Sequence, residues 1–171
     1  MVETREPGGT PLGESLRAIL LETEPGGMSL ASEALLFAAS RAELVRRVVR
    51  PALAEGRWVV SDRFLDSSLA YQGAARGLGI DAVAAMNAPA VDGSRPDRTI
   101  VVDVPVDVAA GRRSAGPDRI EAEGSGFQQA VAAGYRLLAE REPERIALVD
   151  GHGTPEAVHA RVLEALGLDE R

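Results

Sequence analysis

The fold is indicated first by Trp58-Val59-Val60-Ser61-Asp62-Arg63, a short uninterrupted apolar run followed at once by an acid and an arginine. Such runs are typical of parallel strands that are buried on both faces. Residues 99–104 and 146–149 contain similar short apolar runs. Stretches with helical spacing of apolar residues separate the three runs. Alternating strands and helices imply right-handed crossovers. We therefore expect an α/β fold in which helices flank one parallel sheet.

Helical spacing of apolar residues recurs between and beyond these runs. The predicted helices cover residues 11–23, 29–56, 66–75, 80–87, 107–113, 126–142 and 155–166. Thr10 and Ser29 are predicted to cap the first two helices. Pro51 is expected to kink the second helix before Gly56 ends it. Glycine and proline in residues 112–125 prevent that stretch from joining either neighbouring helix, so it is expected to form a mobile lid.

The composition is that of a folded soluble domain. The chain has 171 residues, of which 45% are hydrophobic and 26% charged, and it shows no linker, so we expect one domain over residues 1–171. A net charge of -7 argues against binding to a nucleic-acid backbone. No apolar run is long enough for a membrane helix, and the absence of cysteine suits a reducing cytoplasm. All 19 basic residues are arginine, which excludes motifs that need lysine.

Polar residues at the ends of the predicted strands are the first candidates for chemistry, because ligands of open parallel sheets bind at the carboxyl ends of the strands. Residues 1–4 read as the tail of a strand, and Arg5 and Glu6 follow it. Asp62 and Arg63 follow the next strand. A carboxylate there suits a metal or its waters, and a guanidinium suits phosphate oxygens. A structural ion pair is the alternative interpretation.

Two helical stretches contain residues suited to a nucleobase. Phe37 and Arg41 are four apart and share a helix face, where a ring can stack on a base while the guanidinium binds its edge or a phosphate. The alternative is a core phenylalanine beside a solvated arginine. Ser68, Tyr71 and Gln72 also share a face, with hydroxyl and amide groups that suit a pyrimidine edge. An ordinary helix start is the alternative there.

Further arginines are candidates for binding phosphate. Arg17 on the first helix could reach a phosphate, although a solvated arginine is the alternative. Arg112, Arg113 and Arg119 crowd the Gly-rich stretch, where they are placed to close over a polyphosphate.

Four blocks together carry a resemblance to a known family. They are residues 4–10 (TREPGGT), 36–41 (LFAASR), 62–73 (DRFLDSSLAYQG) and 118–121 (DRIE). In this order and spacing they resemble bacterial thymidylate kinase. The resemblance implies the P-loop nucleoside monophosphate kinase fold and phosphorylation of dTMP to dTDP by ATP with Mg²⁺. It also implies a homodimer packed through helices.

The same resemblance assigns roles around the acceptor nucleoside. It implies that Phe37 stacks on thymine and that Arg41 and Gln72 read the base edge with Ser68. Tyr71 would lie near the sugar, where it disfavours a ribose 2′-hydroxyl.

The resemblance also implies which residues bind the phosphates and the metal. Arg63 would grip the acceptor phosphate, with Arg17 beside it and Glu6 near the acceptor sugar and phosphate. Asp62 would sit near magnesium, and Arg119 would belong to the lid that closes on ATP. Arg63, Asp62 and Arg119 are thus the expected catalytic residues, and Arg112, Arg113 and Arg119 the expected ATP-binding residues.

One departure from the family is clear in the sequence. Family members open with a strand, the loop G-x-x-x-x-G-K-[ST] and a helix, whereas this chain begins downstream of all three and has no lysine. We therefore expect an N-terminal truncation that removes the central first strand, between the strands ending at Ser61 and Val104, and leaves little activity. A non-catalytic dTMP-binding or regulatory protein is one alternative. A kinase for a related deoxynucleoside monophosphate is another.

Overall fold

The computed structural model describes residues 1–24, 26–112 and 118–168. The strands are β1 (Val2–Thr4), β2 (Val59–Ser61), β3 (Thr99–Asp103) and β4 (Ile146–Asp150). The α-helices are α1 (Pro11–Glu22), α2 (Leu30–Leu44), α3 (Arg50–Ala54), α4 (Leu65–Ser68), α5 (Ile80–Val91), α6 (Val106–Gly111), α7 (Ser125–Arg141) and α8 (Pro155–Leu166). There are also two π-helical segments, Val45–Val49 and Leu69–Ala75, and one 3₁₀ turn, Glu121–Glu123, among the described residues.

All strand pairs are parallel, as predicted, but the described strands form two sheets instead of one. β1 pairs with β2, with Glu3 opposite Val60, and β3 pairs with β4, with Val101 opposite Leu148. Within the described ranges, β2 and β3 make no ladder with each other. Adjacent strands must lie within about 5 Å to share hydrogen bonds. β2 and β3, which share no ladder, are the two strands between which a missing strand is expected from the sequence.

Side-chain caps set the starts of the first two helices, as the sequence predicts. Thr10 Oγ1 accepts a hydrogen bond from the Gly13 amide at 3.0 Å, and Ser29 Oγ accepts one from the Ser32 amide at 3.1 Å. Each bond satisfies a backbone donor that the helix itself leaves free. These caps fix where α1 and α2 begin, and both helices contribute to the candidate site.

The second predicted helix contains a π-helical segment directly before the turn that holds Pro51. Helical backbone continues from α2 through the first π-helical segment into α3, which has Pro51 in its first turn. Proline lacks a backbone N–H, and the wider π turns that come before it accommodate that missing donor. The helix ends at Ala54, and Gly56, at φ +70°, follows in the left-handed region as predicted.

The main core lies between α7 and the second π-helical segment. Its buried residues include Leu69, Ala70, Val131 and Leu138. The two elements approach closely at Gly134, where an added Cβ would lie 3.0 Å from Ala74 Cβ and 3.2 Å from Ala70 Cα. This contact holds the segment that contains Tyr71 and Gln72.

Candidate functional site

Five residues from α2, from α4 and from the π-helical segment that follows α4 make up what we call the base wall. They are Glu33, Phe37, Arg41, Ser68 and Gln72. The first three are spaced four apart on one face of α2. Arg41 Nη2 donates to Ser68 Oγ at 3.1 Å, and Gln72 Nε2 donates to Glu33 Oε1 at 3.0 Å. Half-buried Phe37 lies between these two bridges along α2. The structure thus brings Arg41 into contact with Ser68 and Gln72 into contact with Glu33, and it places Phe37 on the same α2 face as Glu33 and Arg41.

Arg41 is held in one orientation by its neighbours. Its side chain is 1% exposed. Its Nε and Nη2 donate to Glu6 Oε2 at 3.0 and 2.6 Å, and Nη1 donates to Asn87 Oδ1. Asn87 Nδ2 donates in turn to the Val83 carbonyl at 2.9 Å, which sets the direction of the amide. With the bond to Ser68, four of the five N–H groups of Arg41 have acceptors, and the other N–H on Nη1 has none among the described residues.

Glu6 supplies the counter-charge of Arg41 from the turn after β1. Burial raises the pKa of Glu6 to about 7, although the Arg41 charge and hydrogen bonds act to lower it. Its Oε1 is buried and has no hydrogen-bond partner among the described residues. The Glu6 backbone amide donates to Asp62 Oδ1 at 3.1 Å, so the two strand ends predicted to carry chemistry are joined.

Arg63 and Tyr71 lie together beside the base wall. The Arg63 guanidinium lies 5.1 Å from the centre of the Tyr71 ring, and the Arg63 residue is exposed. Tyr71 makes edge contacts with Phe127 and Tyr135 of α7, at 6.1 and 6.4 Å between ring centres. Tyr135 donates to Ser67 Oγ at 2.7 Å, and burial raises its pKa to about 12. α7 therefore supports the side chains predicted to contact the sugar and phosphate.

The turn after β1 is tied to α1. Arg17 Nη1 donates to the Pro7 carbonyl at 3.0 Å. Gly9 has φ +75°, and a Cβ there would lie 2.6 Å from Thr4 Oγ1, so this position requires glycine. The Arg17 side chain thus binds the same turn that contains Glu6.

The predicted lid arginines do not lie together. Arg119 Nε donates to the Leu20 carbonyl at 2.8 Å, and Nη2 donates to Glu33 Oε2 at 2.7 Å. This places Arg119 against α1 and α2. Arg112 Nη1 instead donates to the Gly151 carbonyl after β4, at 2.8 Å. Residues 113–117 of the predicted lid, which include Arg113, lie outside the described residues.

Three residues of the site were not predicted from the sequence. Glu33 precedes Phe37 by four positions, so its place on the α2 stripe was a signal that could have found it. Arg76 follows Gln72 by four and donates to both Glu33 oxygens, at 3.2 Å each. Asn87 lies far from Arg41 along the chain, and no local pattern indicates their contact.

The described residues contain no group of three or more acidic or histidine side chains that could hold a metal ion by itself. Asp62 is an exposed carboxylate at the end of β2. One such carboxylate suits Mg²⁺ that is held mainly by water and substrate phosphates. None of the helices within the described ranges has the length and apolar character needed to cross a membrane.

Comparison with known proteins shows similarity to thymidylate kinases. The family model described as thymidylate kinase matches residues 1–162. The thymidylate kinase of Rhizorhabdus wittichii is 48% identical over 170 residues, which cover 97% of this chain and 82% of that protein. That of Alkalilimnicola ehrlichii is 51% identical over 169 residues, covering 96% and 77%. The crystal structure of thymidylate kinase from Ehrlichia chaffeensis matches with a TM-score of 0.77 and 32% identity, covering 97% of this chain and 79% of that one.

Proposed function

This chain belongs to the thymidylate kinase family, and from that premise we propose that it binds dTMP as acceptor of the γ-phosphoryl group of ATP, giving dTDP and ADP. The observation that carries the proposal is the base wall. Phe37 offers a stacking surface between a bridge that ends in Arg41 and a bridge that ends in Gln72. A flat base with hydrogen-bonding groups along one edge fits this arrangement.

The acceptor phosphate is proposed to bind at the strand ends. Arg63 is exposed and stacked on Tyr71, so its guanidinium is oriented and still available to phosphate oxygens. Arg17 binds the turn after β1 through the Pro7 carbonyl, and Glu6, in the same turn, donates its backbone amide to Asp62, the residue next to Arg63. Tyr71 is held by two rings of α7, which supports its proposed position against the sugar.

The donor side of the reaction is proposed to use ATP with Mg²⁺. The metal supplies charge neutralisation on the transferring phosphoryl group, and Asp62 is the residue we assign beside it. Arg112 and Arg113 are assigned to the donor phosphates. Arg119 is assigned to the lid, where its bond to Glu33 links the lid to the base wall and its bond to the Leu20 carbonyl links it to α1.

The absence of lysine bears on the rate. A P-loop lysine contacts the donor phosphates in kinases of this fold, and none of the 171 residues is lysine. Loss of one preorganised donor costs about 3 kcal/mol of transition-state stabilisation. We propose that residues 1–171 alone bind dTMP but transfer phosphoryl groups slowly. The same observation favours the second candidate, a dTMP-binding protein without catalysis.

Calorimetry and a transfer assay test these proposals together. The 171-residue chain should bind dTMP more tightly than dCMP, and Arg63→Ala should weaken dTMP binding while leaving thymidine binding unchanged. Equal binding of dTMP and dCMP would refute the thymine assignment. With ATP, Mg²⁺ and dTMP, a turnover within the ordinary range of about 1 to 10³ s⁻¹ would refute both slow transfer and the non-catalytic candidate.

The quaternary state and compartment are also proposals. Leu12 and Ile19 on α1, Leu35 on α2 and Leu53 on α3 are each about half exposed, and apolar helix surfaces of this kind suit a homodimer. Sedimentation should give a dimer, and Leu35→Glu should shift it toward the monomer. A cysteine-free chain suits a reducing cytoplasm.

A further inference from the structure

Glu33 is a buried carboxylate that joins three parts of the molecule. Its side chain is 2% exposed at the start of α2. Oε1 accepts from Gln72 Nε2 at 3.0 Å and from Arg76 Nε at 3.2 Å. Oε2 accepts from Arg76 Nη2 at 3.2 Å and from Arg119 Nη2 at 2.7 Å. Both oxygens are therefore occupied by donors from the π-helical segment and from the lid.

The two arginines keep Glu33 ionised. Burial raises the pKa of Glu33, but hydrogen bonds from Gln72 and Arg119 and the Arg76 charge outweigh it, so the pKa is lowered overall. Arg76 is itself held in place, because Nη1 pairs with Glu123 Oε1 at 2.6 Å and the guanidinium lies 4.7 Å from the Phe127 ring centre. An ionised carboxylate can only accept hydrogen bonds.

That restriction determines the orientation of the Gln72 amide. A side-chain amide can present either a donor, Nε2, or an acceptor, Oε1, when it rotates by half a turn. Only Nε2 can face an ionised Glu33 without an unfavourable contact between two oxygens. Oε1 is therefore directed away from Glu33, and no described residue donates a hydrogen bond to it. Because Gln72 is 1% exposed, water could not offset the contact between two oxygens that a flipped amide would create.

Thymine and cytosine differ at the atoms that such an amide would meet. Thymine presents an N3–H donor beside the O4 acceptor, whereas cytosine presents an N3 acceptor beside an N4 amino donor. Gln72 Oε1 matches N3–H, and the one N–H left on Arg41 Nη1 matches O4. Cytosine would oppose acceptor to acceptor and donor to donor at the same positions.

We propose that Glu33 is a positioning residue that fixes the polarity of the Gln72 amide and so selects thymine over cytosine, an inference that rests on the proposed dTMP site. Glu33 does not touch the base itself. It acts through Gln72, and Arg76 and Arg119 contribute by keeping it an acceptor on both oxygens.

The test compares Glu33→Gln with Glu43→Gln, a matched change at an exposed ion pair of the same helix. A glutamine at position 33 can donate as well as accept, so either orientation of Gln72 becomes available. Calorimetry with dTMP and dCMP should show the dTMP preference falling at least about tenfold in Glu33→Gln. The Glu43→Gln preference should equal that of the unaltered chain.

Glu33→Asp distinguishes this role from a purely structural one. Aspartate still only accepts, so Glu33→Asp should keep the preference for dTMP even where its overall affinity is lower. Equal loss of preference in both variants would overturn the proposal, as would an unchanged preference in Glu33→Gln. If the unaltered chain shows no preference for dTMP, the proposed dTMP site itself fails. If the unaltered chain prefers dTMP and Glu33→Gln keeps that preference, only the proposed role of Glu33 fails.

A crystal structure of the unaltered chain with dTMP gives a readout that needs no variant. The proposal requires thymine N3 within hydrogen-bond distance of the Gln72 amide and the other amide atom within reach of Glu33. Contact of N3 with any other protein group would overturn it, whether or not Glu33→Gln folds.

Discussion

The base wall buries polar side chains, whereas the strand pairs leave several apolar side chains exposed. In the wall, Arg41 and Gln72 are each 1% exposed; Arg41 donates hydrogen bonds to Glu6, Asn87 and Ser68, and Gln72 donates one to Glu33. On the strand pairs some of the exposed residues are apolar: Val60 is 50% exposed and Val102 48%, and Trp58, directly before β2, is 71% exposed.

The difference shows where the described residues obtain order. Buried polar groups that satisfy one another hold a single geometry, because any displacement leaves an unpaired group. Exposed apolar side chains gain no burial free energy and impose no such geometry. We therefore expect substitutions in the wall to have large effects and substitutions on the exposed strand residues to have small ones.

The largest effect is expected from Arg41→Met. It removes the only ion-pair partner that the described residues provide for buried Glu6, and loss of one member of a buried pair costs about 3 to 5 kcal/mol of unfolding free energy. Urea unfolding at about pH 8, where Glu6 is ionised, measures the loss. Arg47→Met is the control, because its pair with Glu43 is exposed and is worth at most about 1 kcal/mol. Similar losses in both variants would contradict the comparison.

A second effect should appear in the pH dependence of stability. Burial raises the pKa of Glu6 from 4.5 to about 7, so between these values the folded state binds more protons than the unfolded state. Its contribution is fully present below pH 4.5 and is lost as the pH rises through 7, by up to about 3 kcal/mol. Urea unfolding between pH 5 and 7.5 should show this decline, and Glu6→Gln should remove it. An identical slope in both proteins would mean that Glu6 is not protonated in the folded state.

The smallest effect is expected from Trp58→Gln. Because Trp58 is 71% exposed, its replacement should change the unfolding free energy by no more than about 0.5 kcal/mol. Sedimentation velocity should show less self-association, since an exposed apolar surface is removed. A loss of several kcal/mol would show that Trp58 is buried in solution and would remove the contrast with the wall.

Much of the local structure could be predicted from short-range patterns. Thr10 and Ser29 cap their helices as expected, and the four-residue spacing of Phe37 and Arg41 places both on one face of α2. These signals involve residues at most four positions apart, and at that separation helix geometry alone determines which side chains are neighbours. The π-helical turns at Leu69–Ala75 were not predicted, because an apolar pattern does not distinguish them from an α-helix.

The partners of the site residues follow from packing and could not be obtained from spacing. Arg41 meets Glu6 across 35 positions, and Arg119 meets Glu33 across 86. The sequence shows that these residues are charged and which elements carry them. It does not show which opposite charge each one meets, because that depends on how α1, α2, the π-helical segment and the lid residues pack. A buried charge must find its partner within the fold, so the choice is made when the elements come together.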